Sequence, residues 1–238
     1  MSETIGQYWY SEIDTDNISV VDEGILKDIT KLYSKDYGNW IDSGNSIKLT
    51  PKKFLSLHLH EIIYFVSDTS GNIVGFYSVS TRLNKIKVIT SMCVKKEYRN
   101  QGIGTSLLSY VLKSIHEDGW KIGVVSANPI SLLILETYPE LKYIDLEEYV
   151  VNDISFGIQL SIFIDEFRRK SYNALKKTYT RTEKISYKKI NTGFEVEIPE
   201  EDLFDNLGSF YRNLMGTLNP GEEWILFCNY EFNNNDTI

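Results

Sequence analysis

The chain has 238 residues and no run of about 18 apolar ones, so nothing in it reads as a transmembrane helix. Its start, Met1-Ser2-Glu3-Thr4, is polar and acidic. It has neither the apolar core of a secretory signal nor a basic amphipathic presequence, so a cytoplasmic protein with no membrane partner is expected. Cys93 and Cys228 are the only cysteines, too few for a disulfide framework. Cys93 reads as a small core residue. Histidine is scarce as well. His58 and His60 stand one residue apart without a third ligand, so no metal site is expected, and His116 reads as a contact with a helix C-terminus. Basic side chains are in the minority, 25 against 33 acidic, for a net charge of −8. That argues against broad nonspecific nucleic-acid binding and suits a cationic partner such as an amine. There is no internal repeat, and no pattern points to an oligomeric state.

What is present is a core-forming composition, 42% hydrophobic, with readable periodicity. Asp22 caps a helix over residues 22–35, with Ile25, Leu26, Ile29 and Leu32 on one face. Pro51 opens a short helix, Pro51–Leu59. Residues 62–67 and 73–80 read as strands joined by a hairpin loop at Asp68–Asn72, and Ile86–Val94 as a longer strand. A helix follows over Gly104–His116, then a strand over Lys121–Ser126 and a short helix over Ser131–Tyr138. An N-terminal strand is expected from Tyr8–Ile13 or Ile18–Val21. Further on, the alternation Phe156, Ile158, Leu160, Ile162, Ile164 predicts a strand, and Asp165–Tyr179 a helix. Ile185–Ile190 and Phe194–Ile198 read as a hairpin, Glu201–Met215 as a helix, Trp224–Tyr230 as a strand and Asn233–Ile238 as a polar tail.

The densest signal is the strand ending at Val94, the turn Arg99-Asn100-Gln101-Gly102-Ile103-Gly104 and the helix after it. A glycine-rich turn between strand and helix offers unpaired backbone N–H groups to a phosphate. Lys85, Lys87, Lys95, Lys96 and Arg99 are expected around it, opposed only by Glu97, and would welcome a polyanion. A second basic stretch, 168–189, reads as a solvated helix face.

The spacing Arg99-x-x-Gly102-x-Gly104 after a valine-ended strand resembles the pyrophosphate loop of the GNAT acetyltransferase superfamily, and the element order resembles that fold over about residues 20–145. The resemblance implies an α/β (α+β) fold: a mixed, mostly antiparallel central sheet with a splayed strand pair, flanked by helices. It divides the chain into a GNAT-like acyl-CoA-binding core, 1–150, and a C-terminal extension, 151–238, that completes or packs on the sheet. It implies acetyl-CoA as co-substrate. The N–H groups of Gln101, Gly102, Ile103, Gly104 and Thr105 would hold the pyrophosphate, with Asn100 in the same turn and Arg99 supporting the turn or touching a phosphate. The backbone of Met92, Cys93 and Val94 would bind the pantetheine amides, and Asn128 would lie beside the cofactor arm.

The implied reaction is direct attack of an amine on the thioester in a ternary complex, with the Val94 N–H as oxyanion donor. The family's tyrosine falls on Leu135 here, so Tyr138, one helical turn on, is the candidate acid, and Glu136 a candidate proton carrier. The carboxylate sometimes found within the central strand is replaced by Val88, Ile89 and Thr90, with Ser91 beside them. Asp36 and Tyr37 are candidates from the flanking elements. Tyr33, Asp36, Tyr37, Trp40 and Asp42 would shape an acceptor pocket suited to an amine, either a small molecule or a protein. Two other readings stand beside this one: a catalytically silent acyl-CoA-binding or partner-binding module, motivated by the missing tyrosine, and a GNAT-fold enzyme acting on a nucleic-acid base, motivated by the basic stretch.

Overall fold

In the computed structural model a short antiparallel pair, β1 (Ser2–Ile5) and β2 (Tyr8–Asp14), opens the chain. The structure describes residues 2–5, 7–20, 22–38, 47–114, 119–174, 189–194 and 218–230. The N-terminal strand is thus Tyr8–Asp14, while Thr15–Val20 winds as a 3-10 turn. Helix α1 (Glu23–Asp36) starts where the Asp22 carboxylate accepts from the Gly24 N–H at 2.7 Å. Helix α2 (Pro51–Leu57) has Thr50 as its cap and proline in its first turn.

Three antiparallel strands follow, β3 (Glu61–Ser67), β4 (Ile73–Leu83) and β5 (Ile86–Val94). A 3-10 turn, Lys96–Tyr98, leads into α3 (Ile103–Lys113). Then come β6 (Lys121–Ser126), α4 (Pro129–Glu136), β7 (Leu141–Tyr143), α5 (Leu146–Asn152), α6 (Ile154–Ala174), β8 (Lys189–Asn191) and β9 (Glu222–Tyr230). The described strands form one sheet in the order β1-β2-β3-β4-β5-β6-β9-β7, with β8 also on β9. Only the β5–β6 pair is parallel, so the sheet is mixed and mostly antiparallel.

Side-chain alternation divides the core by face. On one face Tyr64, Val66, Tyr77, Ile89, Ile122, Val124 and Leu226 pack with Leu107, Leu108 and Val111 of α3 and Leu132 and Leu135 of α4. On the other, Ile63, Phe65, Phe76 and Cys93 pack under α1 and α2. Farther along that face, Val88, Val125, Ile225 and Phe227 pack under α6. Glu223, two residues before Ile225, shares this second face.

Two expectations change. The segment 156–164 is not a strand but part of α6. Phe156, Leu160, Phe163, Ile164 and Phe167 are buried, a helical spacing, whereas Ile158 and Ile162 are 57% exposed. Alternating isoleucines imitated a period of two because a helix and a strand share every fourth position. Lys85 and Lys87 also sit away from the glycine turn. They lie at the opposite end of β5, Lys87 roughly 20 Å of strand from Val94. Lys87 is buried, donating to the Tyr64 hydroxyl at 3.1 Å and the Ser114 hydroxyl at 2.5 Å. The sequence also gave no warning of β1, β7 or α5. The end of the expected α3 helix, most of the 185–198 hairpin, the 201–215 helix and the 233–238 tail lie outside the described residues.

Candidate active site

The site begins where two parallel strands part. β5 and β6 are in register only from Ile86↔Lys121 to Ile89↔Val124. A bulge at Thr90 shifts the β4–β5 register, from Val79↔Ile89 to Ser78↔Ser91. Beyond it Ser91–Val94 keep pairing with β4, while Val125 and Ser126 pair with β9 instead. Among the described residues, one backbone edge of Ser91–Val94 therefore has no strand partner, and β5 and β6 part there. Met92, Cys93 and Val94 lie along that edge.

The chain leaves this edge through a tightly braced turn. The Arg99 guanidinium donates to the Val94 carbonyl at 3.0 Å and to the Asp36 carbonyl at 2.6 Å, tying the turn to α1. The Lys96 N–H donates to the Asp36 carboxylate at 3.2 Å, and Gln101 donates to the Glu97 carbonyl at 3.0 Å. Asn100 and Gly102 take left-handed conformations, φ 59° and 78°. At Gly102 that backbone geometry, not space, requires glycine, since a Cβ there would meet nothing within 4 Å. Gly104 is glycine for the other reason: a Cβ would lie 2.9 Å from the Ile134 Cδ1 and 3.3 Å from the Tyr77 hydroxyl. Gly102 opens α3 without a side-chain cap, which leaves the first-turn N–H groups of Ile103, Gly104 and Thr105 open at the positive end of the helix.

Across the gap, the N–H of half-buried Asn128 takes the Ser126 hydroxyl at 3.0 Å, and the Asn128 carbonyl receives the Ser131 N–H. Leu135 is buried against α3. Tyr138 is half-buried, and its hydroxyl donates to the Thr105 carbonyl at 2.8 Å, joining the end of α4 to the start of α3. Burial pushes this phenol above its ordinary pKa. Glu136 is the last residue of α4; its side chain lies outside the described residues.

The face toward α1 holds two buried carboxylates. Glu61 accepts from Thr90 at 2.8 Å and is bonded to the His58 imidazole at 2.9 Å, with the Lys170 ammonium 3.7 Å away. Burial pushes its carboxyl up, but His58, Lys170 and Thr90 outweigh burial and hold it below the usual range. His60 turns outward and pairs with Asp16, so the two histidines diverge. Among the described residues no three histidine, cysteine or acidic side chains gather as a metal-ligand set.

Glu223 sits one residue beyond the last β6–β9 pair, Ser126↔Trp224. It is 5% exposed and accepts from the Ala127 N–H and the Thr192 hydroxyl, and no cation pairs with it among the described residues. Burial pushes its carboxyl up to about 7, and the two hydrogen bonds only partly oppose this. Within electrostatic reach of it is an aromatic pair at the end of α1: Tyr33 and the C-cap residue Tyr37 stack at 4.2 Å with planes 13° apart. Burial is the main reason that both phenols lie well above their ordinary pKa, and the charge of Glu223 adds to it. The Tyr37 phenol also interacts with Ser91 on β5. Tyr37, beside Ser91 of β5, and Glu223, beside Ala127 after β6, thus each adjoin one of the two parting strands.

Residues 60–136 match the family model of the acetyltransferase (GNAT) domain. That stretch carries a GNAT acetyltransferase domain, the signature of an acyltransferase. No curated protein matches the sequence. Among solved structures it is similar to the ribosomal-protein-S18-alanine N-acetyltransferase of Escherichia coli, with 9% identity, 96% of this chain and 99% of that chain covered and a TM-score of 0.45. It is also similar to a phosphinothricin acetyltransferase of Sinorhizobium meliloti crystallised with AcCoA, with 19% identity, 56% and 76% covered and a TM-score of 0.41. Neither likeness bears on acceptor or mechanism.

The fold brings several expected residues together. Met92–Val94, the 99–105 turn and Asn128 border one gap, with Asp36 and Tyr37 on its α1 side. Tyr138 faces α3 instead. Trp40 and Asp42 lie outside the described residues. Glu223 was missed, although a signal was there. In β9, Trp224, Leu226 and Cys228 line one face and Ile225 and Phe227 the other, which puts Glu223 on an inward position where a charge needs a reason.

Proposed function

We propose that the protein is an acetyl-CoA-dependent N-acetyltransferase whose amine acceptor attacks the thioester directly in a ternary complex. The observation that carries this reading is the parting of β5 from β6 beside an uncapped helix start. The residues fit the co-substrate. Unpaired strand backbone at Met92–Val94 matches the amides of a pantetheine arm, and the open N–H groups of Gln101–Thr105 match a pyrophosphate. Asn100 and Gly102 shape that turn, Arg99 braces it, and Asn128 borders the arm from the β6 side. When bound, acetyl-CoA supplies an activated acetyl group as a thioester.

On this reading the Val94 N–H stabilises the oxygen that gains charge during attack. Tyr138 is proposed to protonate the departing thiolate, and Glu136 to carry a proton near the end of α4. Tyr138→Phe separates two roles for the first of these. A lower kcat in the folded variant supports the acid role; lost stability at unchanged kcat assigns the hydroxyl to the α3–α4 contact alone. The reading also takes 1–150 as the acyl-CoA-binding core and 151–238 as its extension, and it places the protein in the cytoplasm. The acceptor is an amine, on a small molecule or a protein. A nucleic-acid base finds little support: Arg168 is buried against the Asn191 carbonyl and Lys170 faces Glu61, so two cations of the basic stretch turn inward.

The test is titration of the pure protein with acetyl-CoA, followed by calorimetry, beside Gly102→Asp. Saturable binding that the variant loses is the expected result. No binding at high micromolar concentration, with the two proteins indistinguishable, would sink the reading.

A further inference from the structure

The acetyl-transfer reading leaves the buried carboxylate of Glu223 unused. A carboxylate that is nearly fully buried and that meets, among the described residues, a backbone N–H and a hydroxyl but no cation is expensive to keep. Glu223 is such a group, and it stands at the open end of the β5–β6 gap. The Ala127 N–H from the end of β6 and the Thr192 hydroxyl after β8 hold it in place. The stacked Tyr33 and Tyr37, at the end of α1, are near enough to feel its charge, and Tyr37 reaches Ser91 on the β5 side. A carboxylate opposite a stacked aromatic pair is also the chemistry that attracts a protonated amine.

We propose that Glu223 is the general base of acetyl transfer, receiving the acceptor amine beside the half-buried Tyr37, whose ring the buried Tyr33 backs. The inference rests on the acetyl-transfer reading. An ammonium acceptor releases one proton to solvent to become the free amine. As nitrogen adds to the thioester carbonyl, the second proton passes to the Glu223 carboxylate. The C–N bond forms, the C–S bond breaks, and its electron pair leaves on sulfur. Tyr138 gives its proton to the sulfur and Glu223 returns its own through solvent to the Tyr138 oxygen, so an amide and a free thiol are made with no net change at the enzyme. With its carboxyl pushed up to about 7, Glu223 is a usable base near neutral pH and loses that role below it.

The experiment compares wild type, Glu223→Gln and Thr192→Val. Acetyl-CoA affinity is measured first, then thiol release at saturating acetyl-CoA, with water alone and with methylamine as the probe acceptor, from about pH 5.5 to about 9. The expected result is unchanged acetyl-CoA affinity in Glu223→Gln and a loss of at least about 100-fold in thiol release. The rise of the wild-type rate through neutral pH should vanish in that variant. Thr192→Val, which removes a hydrogen bond to the charged form, should move the rise to higher pH. Equal rates and profiles in wild type and Glu223→Gln overturn the proposal, as does a wild type that binds acetyl-CoA yet releases no thiol under either condition. Failure of wild type to bind acetyl-CoA overturns the underlying reading instead. If Glu223→Gln does not fold, the Thr192→Val profile decides: a shift supports the base, an unmoved profile overturns it.

Discussion

Glu61 and Glu223 are the same residue type, buried on the same face of one sheet, yet their surroundings drive them in opposite directions. Glu61 has a histidine, a threonine and a lysine arranged around it. Its neighbours favour the charged form by more than burial disfavours it. Glu223 has a backbone N–H and one hydroxyl, and burial wins. The first arrangement is that of a structural ion cluster joining β3, β5, α2 and α6. The second leaves a proton acceptor poised near neutrality beside an opening. Burial alone does not say what a carboxylate is for; the partners that accompany it do.

The comparison can be broken most directly at Glu61. Glu61→Leu leaves His58 and Lys170 without their shared anion and should cost about 3–5 kcal/mol, read by denaturant unfolding at neutral pH. A loss under about 1 kcal/mol would remove the structural role assigned to the cluster. Glu223→Gln should do the reverse. With a folded-state pKa of about 7, above its ordinary value, Glu223 costs stability as pH rises from about 4.5 toward 7. The neutral amide escapes that cost, so the variant should be more stable than wild type at pH 8, by up to about 3 kcal/mol, and equal to it at pH 4. A variant that is less stable at both pH values would place Glu223 with Glu61 as a structural group.

Two smaller effects sharpen the contrast. Glu61 is held below its ordinary pKa, so its stabilisation is present above that value and is lost as pH falls through the folded one. Thr90→Val removes one bond to it and should cost about 1–2 kcal/mol, with acid unfolding beginning at higher pH. Tyr138→Phe, on the opposite face, should cost about 1 kcal/mol for its bond to Thr105 and leave both pH limbs unmoved. Thermal melts across pH check both.

Much of the fold was legible in the residues. Helix α1 announced itself by its cap and apolar stripe, β3–β6 by their apolar runs, and the phosphate-type turn by Gly102 and Gly104. Each of these signals is local, set by dihedral preference, capping or periodicity within a few residues. α6 was misread because period two and period 3.6 coincide over a short run of isoleucines; Phe163 and Phe167 break the tie only once burial is known. β7 and β8 have three residues each, and what makes them strands is pairing with β9. The candidate site divides the same way. Apart from Asn128, the proposed cofactor side lies in one continuous stretch, 92–105, whereas the surroundings of the proposed base draw on residues 37, 91, 192 and 223.

By itself the sequence determined the turn at Arg99–Thr105 and the order of the elements around it, because glycine dihedrals and side-chain periodicity act over a few residues. Only the tertiary structure decided that β9 inserts beside β6 and carries Glu223 to the mouth of the gap. It also decided that Glu61 lies against Thr90, where the central strand has no carboxylate of its own. Desolvation and charge pairing act through space, so the proton affinity of each carboxylate was settled by neighbours distant in the chain.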